Sequence, residues 1–220
     1  MAVIAPVIKA PDGFFWEGRL AVGQSIEISN LYGSIHAEPA QGDCAWVTAE
    51  PGAQVAVVRT AQGITIRAIE PTLAGSAHPS DFTVYVPKGV HFVGRTVNGS
   101  VEAKSLQGDA AGYTVNGDVR ISSSGESRAR TVNGSIQAQL GAARTGPLEF
   151  SSVNGGITLE VPRGLDATLR ASTGYGSILS DCPLARGSHD GGQDASGDLG
   201  HGGPELRLTT INGSIRLRIL

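Results

Sequence analysis

The residues best suited to bind a metal ion are gathered in one glycine-rich segment, 185–205. This segment contains His189, Asp190, Asp194, Asp198 and His201. Imidazole nitrogens and carboxylate oxygens are common ligands of Zn²⁺ and Ca²⁺. The glycine-rich nonapeptides that bind Ca²⁺ follow the pattern G-G-x-G-x-D-x-U-x, and the segment does not fit that register. We therefore predict a solvated, flexible loop between two coils of the fold, with no functional metal and no cofactor.

Catalysis would require clustered carboxylates, or a base flanked by cations, as in β-helix enzymes that cleave acidic polysaccharides. The sequence contains no G-x-S-x-G elbow, zinc-ligand spacing or phosphate loop. Asp118 occupies a repeat position that carries serine in most other copies, so we interpret it as a turn residue. Glu102 and Arg120 are expected to form a surface ion pair on neighbouring coils. These observations predict a protein that is not an enzyme.

Cys44 and Cys182 are the two cysteines of the chain. Their separation excludes a local metal or redox motif such as C-x-x-C. Two free thiols and a disulfide both remain open at this point. A disulfide between them would close a long loop and would indicate an oxidising compartment.

The composition of the chain limits the classes of partner and fold. Its 220 residues include 17 Lys and Arg against 20 Asp and Glu, which gives no electrostatic reason to expect a nucleic acid or an anionic membrane. No apolar run approaches the ~18 residues of a transmembrane helix. The 31 glycines disfavour long helices, because each interior glycine costs about 1 kcal/mol relative to alanine. We predict an N-terminal extension at 1–13 and one all-β domain at 14–220.

Seven copies of a T-V-N-G-S-I motif determine the fold prediction. The Asn-Gly position of the motif is filled by Tyr32-Gly33, Asn98-Gly99, Asn116-Gly117, Asn133-Gly134, Asn154-Gly155, Tyr175-Gly176 and Asn212-Gly213. From Gly99 to Gly176 the successive steps are 18, 17, 21 and 21 residues. The longer intervals before Gly99 and after Gly176 leave room for unmarked coils or an inserted loop.

Apolar and polar residues alternate around each motif, as in a strand with one buried face. The residue before Asn and the second residue after Gly are predicted to point inward. A further inward position holds Ala37, Ala103, Ile121, Ala138, Leu159 and Leu217. The outward positions between them hold His36, Glu102, Arg120, Gln137, Thr158 and Arg216. The unrelated chemistry of this second set is typical of a solvated face.

Asn-Gly is also a strong hairpin signal, because both residues tolerate positive φ. An antiparallel meander is therefore an alternative. The fixed phase of the repeat favours a single-stranded parallel β-solenoid, similar to a β-helix, built from coils of 17–21 residues with Asn-Gly turns. In such a fold equivalent residues stack about 4.8 Å apart, and columns of asparagine can hydrogen-bond along the stack.

The aromatic stretch Phe14–Leu20 stands out in a chain with only 5% aromatic residues. Solenoid ends need covering, so we predict that these rings form a cap over the first coil. A binding surface formed by Trp16 and its neighbours is the alternative.

The order of these features resembles the bacterial putative-adhesin family of β-strand-repeat domains. The resemblance covers approximately residues 14 to 220. It rests on the aromatic entry from Phe14 to Leu20, the V-N-G-S-I turns, two V-P-[KR]-G segments at 86–89 and 161–164, and the closing motif at 206–215. The family implies a stacked-strand fold at the bacterial surface or in the envelope, and it supplies no catalytic residues.

These considerations predict a non-enzymatic, adhesin-like or structural module that binds a glycan or protein of the bacterial cell envelope. Its location would be periplasmic, cell-surface or secreted if a signal peptide has been removed, and cytoplasmic otherwise. The alternative is an intracellular scaffold or sensor that assembles through its ends or edge strands. A polysaccharide-cleaving enzyme is a third, weaker alternative.

Overall fold

The computed structural model describes residues 3–4, 8–9, 13–51, 53–69, 79–141, 146–189 and 191–220. Every regular element in these residues is a β-strand, which confirms the all-β prediction. The first strands are β1 (Val3–Ile4), β2 (Ile8–Lys9), β3 (Phe14–Arg19), β4 (Ser25–Ser29), β5 (Ile35–Pro39), β6 (Cys44–Ala49), β7 (Gln54–Thr60), β8 (Gly63–Ala68), β9 (Phe82–Val86), β10 (His91–Arg95), β11 (Val101–Leu106) and β12 (Ala110–Tyr113). They are followed by β13 (Val119–Ser123), β14 (Ser127–Asn133), β15 (Ile136–Leu140), β16 (Leu148–Asn154), β17 (Ile157–Val161), β18 (Ala167–Tyr175), β19 (Ile178–Ser180), β20 (Ala185–His189), β21 (Gly192–Leu199), β22 (Glu205–Asn212) and β23 (Ile215–Ile219).

The strands form two mixed sheets. The A sheet has 13 strands in the order β1-β7-β8-β4-β10-β12-β14-β16-β22-β18-β21-β20, with β2 also paired to β7. The B sheet has ten strands in the order β19-β23-β17-β15-β13-β11-β5-β9-β6-β3. Pairing is parallel through the centre of both sheets, and it is antiparallel at both ends of the A sheet and at the β3 end of the B sheet. At the other end of the B sheet, β19 pairs parallel with β23. A single parallel solenoid over the whole domain is therefore not confirmed.

In the centre, each repeat contributes one strand to each sheet, and the Asn-Gly turn joins the two; we call this unit a coil. The coils marked by the motif are β4–β5, β10–β11, β12–β13, β14–β15, β16–β17, β18–β19 and β22–β23. Neighbouring coils pair in parallel in both sheets. Among the described residues other than glycine, Ser105 alone has a positive φ. The turn asparagines therefore do not form the positive-φ hairpins of a meander.

Two coils lie out of chain order. The coil β22–β23, latest in the sequence, lies between β16–β17 and β18–β19 in both sheets. At the other end, β4–β5 lies between β10–β11 and the strands β8 and β9, which occupy the place of an unmarked coil. The long interval between Gly33 and Gly99 thus contains an extra coil position and antiparallel strands.

The hydrophobic core lies between the two sheets. Gly94 on β10 faces Val101 on β11, and a Cβ added to Gly94 would come 2.7 Å from the Val101 side chain. The second inward column predicted from the sequence is buried, as expected: Ala37, Ala103, Ile121, Ala138, Leu159 and Leu217. The outward column beside it is at least partly exposed throughout: His36, Glu102, Arg120, Gln137, Thr158 and Arg216.

The aliphatic residue before each turn asparagine was predicted to point inward, and this is wrong. This column is at least partly exposed: Leu31, Val97, Val115, Val132, Val153 and Ile211. The residue one position earlier is buried in its place: Thr96, Thr114, Thr131, Ser152, Thr173 and Thr210. The strand alternation is interrupted where the chain turns from one sheet to the other. A small hydroxyl can occupy the interior there because it finds a carbonyl partner in the adjacent coil.

The glycine-rich segment 185–205 forms a β-hairpin for most of its length, which corrects the prediction of a flexible loop. Strand β20 pairs antiparallel with β21, and β21 pairs antiparallel with β18. His189 is paired with Gly192, so two residues connect the strands, and Gly191 has a φ of +82°. The hairpin buries Ala195 and Leu199 against the core. The hairpin contains few apolar residues, so the alternation of apolar and polar residues that identifies a strand is hard to detect in its sequence.

The aromatic entry lies on β3, at the edge of the B sheet. Phe14 is buried and the partly buried Trp16 packs against the core, as expected of a cap, whereas Phe15 points outward. Of the predicted extension at 1–13, β1 and β2 pair antiparallel with β7, Gly13 precedes β3, and the remainder lies outside the described residues. The described part of the chain includes no helix with the length and apolar character needed to cross a membrane.

Candidate functional site

The turn asparagines form a continuous side-chain ladder along the stack of coils. From the second member onward, the side-chain nitrogen of each asparagine donates a hydrogen bond of 2.8 Å to the side-chain oxygen of the member before it, in the order Asn98, Asn116, Asn133, Asn154 and Asn212. Asn212 joins Asn154 although 58 residues separate them, because β22–β23 is inserted beside β16–β17. The ladder predicted from the repeat thus includes the out-of-order coil.

Each buried hydroxyl of the turn column donates to a glycine carbonyl of the adjacent coil. The distances are 2.7–2.9 Å for Thr96 to Gly33, Thr114 to Gly99, Thr131 to Gly117, Ser152 to Gly134, Thr173 to Gly213 and Thr210 to Gly155. The glycines themselves are stacked in close contact. A Cβ at Gly134 would overlap the carbonyl oxygen of Gly117, and a Cβ at Gly155 would overlap that of Gly134. The close approach of neighbouring backbones, more than the conformation of the turn, explains why glycine recurs at this position of the repeat.

Tyrosine replaces asparagine at both ends of the ladder. Tyr32 is bridged to Asn98 at one end, and Tyr175 is paired with Asn212 at the other. The two tyrosine side chains are exposed. The terminal amides Asn98 and Asn212 therefore each have an amide partner on one side and a tyrosine on the other. These turn residues have their polar groups engaged with one another, which suits a structural role.

The two cysteines lie at opposite ends of the B sheet, and both thiols are free. Cys44 is on β6, beside the edge strand β3, whereas Cys182 follows β19 at the far edge. Eight strand steps separate β6 from β19, a distance of roughly 38 Å, far beyond the ~7 Å limit for the Cα atoms of a disulfide. Burial raises the pKa of the Cys182 thiol.

The candidate metal ligands of the 185–205 segment are dispersed by the hairpin. Asp198 accepts a hydrogen bond of 2.8 Å from Thr168, and His201 contacts Asp166 through its backbone nitrogen at 2.7 Å and its ring nitrogen at 3.3 Å. Asp190 and the side chain of His189 lie outside the described residues. No three His, Cys, Asp or Glu side chains in the described part of the chain come together as a metal site would require.

The predicted ion pair between Glu102 and Arg120 is replaced by other pairs. The two residues are directly opposite one another on β11 and β13. Glu102 instead contacts His36 at 3.1 Å and Lys104 at 3.5 Å, while Arg120 contacts Asp118 at 3.3 Å. The other carboxylate oxygen of Asp118 accepts the backbone N–H of Ser135, as expected of a turn residue.

A groove of about 780 Å³ lies on the A sheet where the hairpin meets β18 and β22. Its polar lining consists of Arg170, Arg186, Arg207, Thr168, Ser172, Ser196, Thr209, Asp194 and Asp198. Glu205 contacts both Arg170, at 3.5 Å, and Arg207, at 3.0 Å. The guanidinium groups and hydroxyls could donate hydrogen bonds to a hydroxyl-rich or acidic ligand. Sequence reasoning missed this groove because it did not predict the β20–β21 hairpin, and because the lining residues of β22 lie beside β18 only through the out-of-order position of β22.

The fold and these surfaces define an all-β repeat protein with two sheets. Its turn residues are hydrogen-bonded to one another, and the outer faces of its sheets are exposed. No family model matches the chain, and no curated protein matches it. The fold is similar to the crystal structure of a protein from Clostridium sporogenes described as a "putative cell adhesion protein", with 7% identity, a TM-score of 0.54, and coverage of 94% of this chain and 100% of that chain. A protein from Bacteroides fragilis described as a "putative adhesin" is 12% identical over 96% of this chain and 99% of that chain, with a TM-score of 0.34. The fold assignment rests on the first of these.

Proposed function

We propose that the chain is a non-enzymatic, adhesin-like binding module of the bacterial cell envelope or surface, related to the putative-adhesin family. The observation that carries the proposal is the similarity to the Clostridium sporogenes protein, at a TM-score of 0.54 over 94% of this chain and all of that one. The match extends over the whole repeat array and not over a single motif. Cell adhesion is the role named for that protein, and we transfer it here as a proposal.

The central coils provide a physical basis for this role, as a parallel solenoid that acts as a rigid scaffold. Neighbouring central coils are hydrogen-bonded to one another in both sheets, and the coils that carry Asn98 to Asn212 are also joined by the asparagine ladder. The inward positions maintain the fold, so the outward positions are free to present binding groups. The groove beside Arg170 and Arg207 is one such surface, and a glycan or protein of the envelope is the proposed partner.

Fractionation of the native cells tests the location, and a binding assay with isolated envelopes tests the activity. We expect the protein in the envelope or the medium, and saturable binding of the purified, labelled chain to envelopes. Serum albumin labelled in the same way is the control for nonspecific adsorption. Recovery from the cytosol alone, together with no saturable binding, would overturn the proposal.

A second candidate is a scaffold that assembles through its sheet edges, and the open edge strands favour it. Strand β3 ends the B sheet and β20 ends the A sheet, and each pairs on one side only within the described residues. Unpaired backbone groups of this kind can accept a strand from another chain. Sedimentation over a range of concentrations separates the candidates. Stepwise assembly at micromolar concentration would favour the scaffold, and a monomer throughout would favour the binding module.

A further inference from the structure

Four side chains form an outward row across the antiparallel end of the B sheet. Glu17 on β3 is directly opposite Trp46 on β6, Trp46 is opposite Tyr85 on β9, and Tyr85 is opposite Glu38 on β5. The row therefore reads carboxylate, aromatic, aromatic, carboxylate. Three strand spacings separate its ends, which is about 14 Å.

The neighbouring outward row adds a further ring and two hydroxyls. Phe15 is opposite Thr48, Thr48 is opposite Thr83, and Thr83 is opposite His36. Phe15 is 61% exposed and Trp46 is 40% exposed. The rings of Trp46 and Tyr85 are packed edge to face, with centroids 4.9 Å apart and an angle of 87° between their planes. These rings therefore support one another while remaining accessible to solvent.

Aromatic side chains at the outward positions of the B sheet are not a feature of the repeat itself. Farther along the same face, the outward positions of the repeat coils hold polar or charged side chains: Ser122, Gln139, Glu160 and Arg218. The apolar cap is already provided by Phe14 and Trp16, which face the core. Apolar area in contact with water is unfavourable, so exposed aromatic clusters of this kind mark interaction sites.

We propose that this face binds a neutral, hexose-based polysaccharide chain. Aromatic faces pack against the apolar C–H faces of sugar rings, and the carboxylates of Glu17 and Glu38 would accept hydrogen bonds from sugar hydroxyls. Thr48 and Thr83 add donors and acceptors between the rings. The surface is a face of a sheet and its polar groups are spread over about 14 Å, which suits an extended polymer more than a small molecule. Carboxylates at both ends of the row would repel an acidic polymer.

A neutral polysaccharide would be a ligand of the proposed binding module, so the assignment rests on the proposed function, and the aromatic face is a different surface from the arginine-lined groove. Affinity electrophoresis provides the test. The chain is run in native gels that contain hydroxyethyl cellulose, galactomannan, laminarin or dextran, and in a gel that contains alginate as the anionic polymer. We expect at least one neutral polysaccharide to retard the protein and alginate to leave its mobility unchanged.

Variants link any retardation to the aromatic row. Trp46→Ala should weaken the affinity about tenfold, because it removes the largest stacking surface. Tyr175→Ala removes an exposed ring at a distant turn of the fold, and this variant should be retarded as strongly as the parent chain. If Trp46→Ala fails to fold, Phe15→Ala and Glu17→Gln test the same surface. Each of these two variants should reduce retardation by the polysaccharide without lowering Tm.

The proposal would be overturned by unaltered mobility in all four neutral gels, by stronger retardation in alginate, or by parent-like binding of folded Trp46→Ala. A role of the aromatic face in dimerisation would also overturn the proposal. In that case the parent chain sediments as a dimer, Trp46→Ala sediments as a monomer, and polysaccharide binding is the same for both. Failure of the proposed function gives a different result. In that case the native protein is cytosolic and does not bind envelopes, whatever the gels show.

Discussion

The side-chain nitrogen of Asn133 donates a hydrogen bond of 2.8 Å to the side-chain oxygen of Asn116, although 17 residues separate them. Asn133 also accepts an equivalent bond from Asn154, 21 residues further on. One amide therefore connects three successive coils. Asparagine provides both a donor and an acceptor on a short side chain, which no carboxylate or hydrophobic side chain can match at this spacing.

Replacement of Asn133 by alanine should lower the free energy of unfolding by about 1–2 kcal/mol, since it removes two hydrogen bonds at once. Urea denaturation followed by circular dichroism measures the change. Gln137→Ala is a matched control, because Gln137 is an exposed amide on the next strand. Equal stability of the two variants would show that the ladder does not contribute.

Replacement of Gly134 by alanine should destabilise the protein by roughly 1–3 kcal/mol, because the new Cβ would overlap the carbonyl oxygen of Gly117 and force backbone shifts. Gly187→Ala is the control, because its added Cβ would meet only the Cβ of Asp194, at 3.9 Å. That variant should stay within about 0.5 kcal/mol of the parent chain. A parent-like Tm for Gly134→Ala would refute the close stacking of the glycine column.

Both cysteines should react with a thiol reagent in the native protein, with two equivalents consumed per chain. Reaction of Cys182, isolated in the Cys44→Ser variant, should be slower than that of free cysteine and should accelerate as pH rises. The reason is that burial raises the pKa of the Cys182 thiol and so reduces the fraction of reactive thiolate. Recovery of fewer than two thiols, with a disulfide-linked peptide in the digest of a monomer, would contradict the separation of the two residues.

The carboxyl group of Asp166 should titrate below the ordinary aspartate value of 3.8, because the backbone N–H of His201 donates to it at 2.7 Å and lowers its pKa. Since the folded-state pKa is depressed, this contact is stabilising above the ordinary pKa and is lost as pH falls through the folded value. Amide resonances of His201 followed by NMR should shift in that acidic range. Asp166→Asn should abolish the shift, and its persistence in that variant would identify another group as the cause.

The sequence predicted the repeat phase, the parallel pairing of the central coils and the inward column from Ala37 to Leu217, because identical residues on a stack must align with one another. It did not place Val115 correctly, since a corner between two sheets interrupts the two-residue period on which the prediction relied. The hairpin that holds Gly192 to Leu199 was missed because an edge strand can be polar and rich in glycine. The groove at Arg170 and the row at Trp46 depend on pairing between strands distant in sequence, which local patterns do not contain.

The position of β22–β23 between two earlier coils has a consequence for the order in which the chain assembles. Strands β16 and β18 are each hydrogen-bonded to β22 on one side, so neither strand has both of its final partners until residues 205–212 have been synthesised. If β16 and β18 pair directly with each other before that moment, the intermediate has to open before β22–β23 can insert between them. We therefore expect a slow phase late in refolding. Until β22–β23 has inserted, its position between β16–β17 and β18–β19 can also accept the β22–β23 segment of a second molecule. Refolding at high protein concentration should therefore yield a domain-swapped dimer.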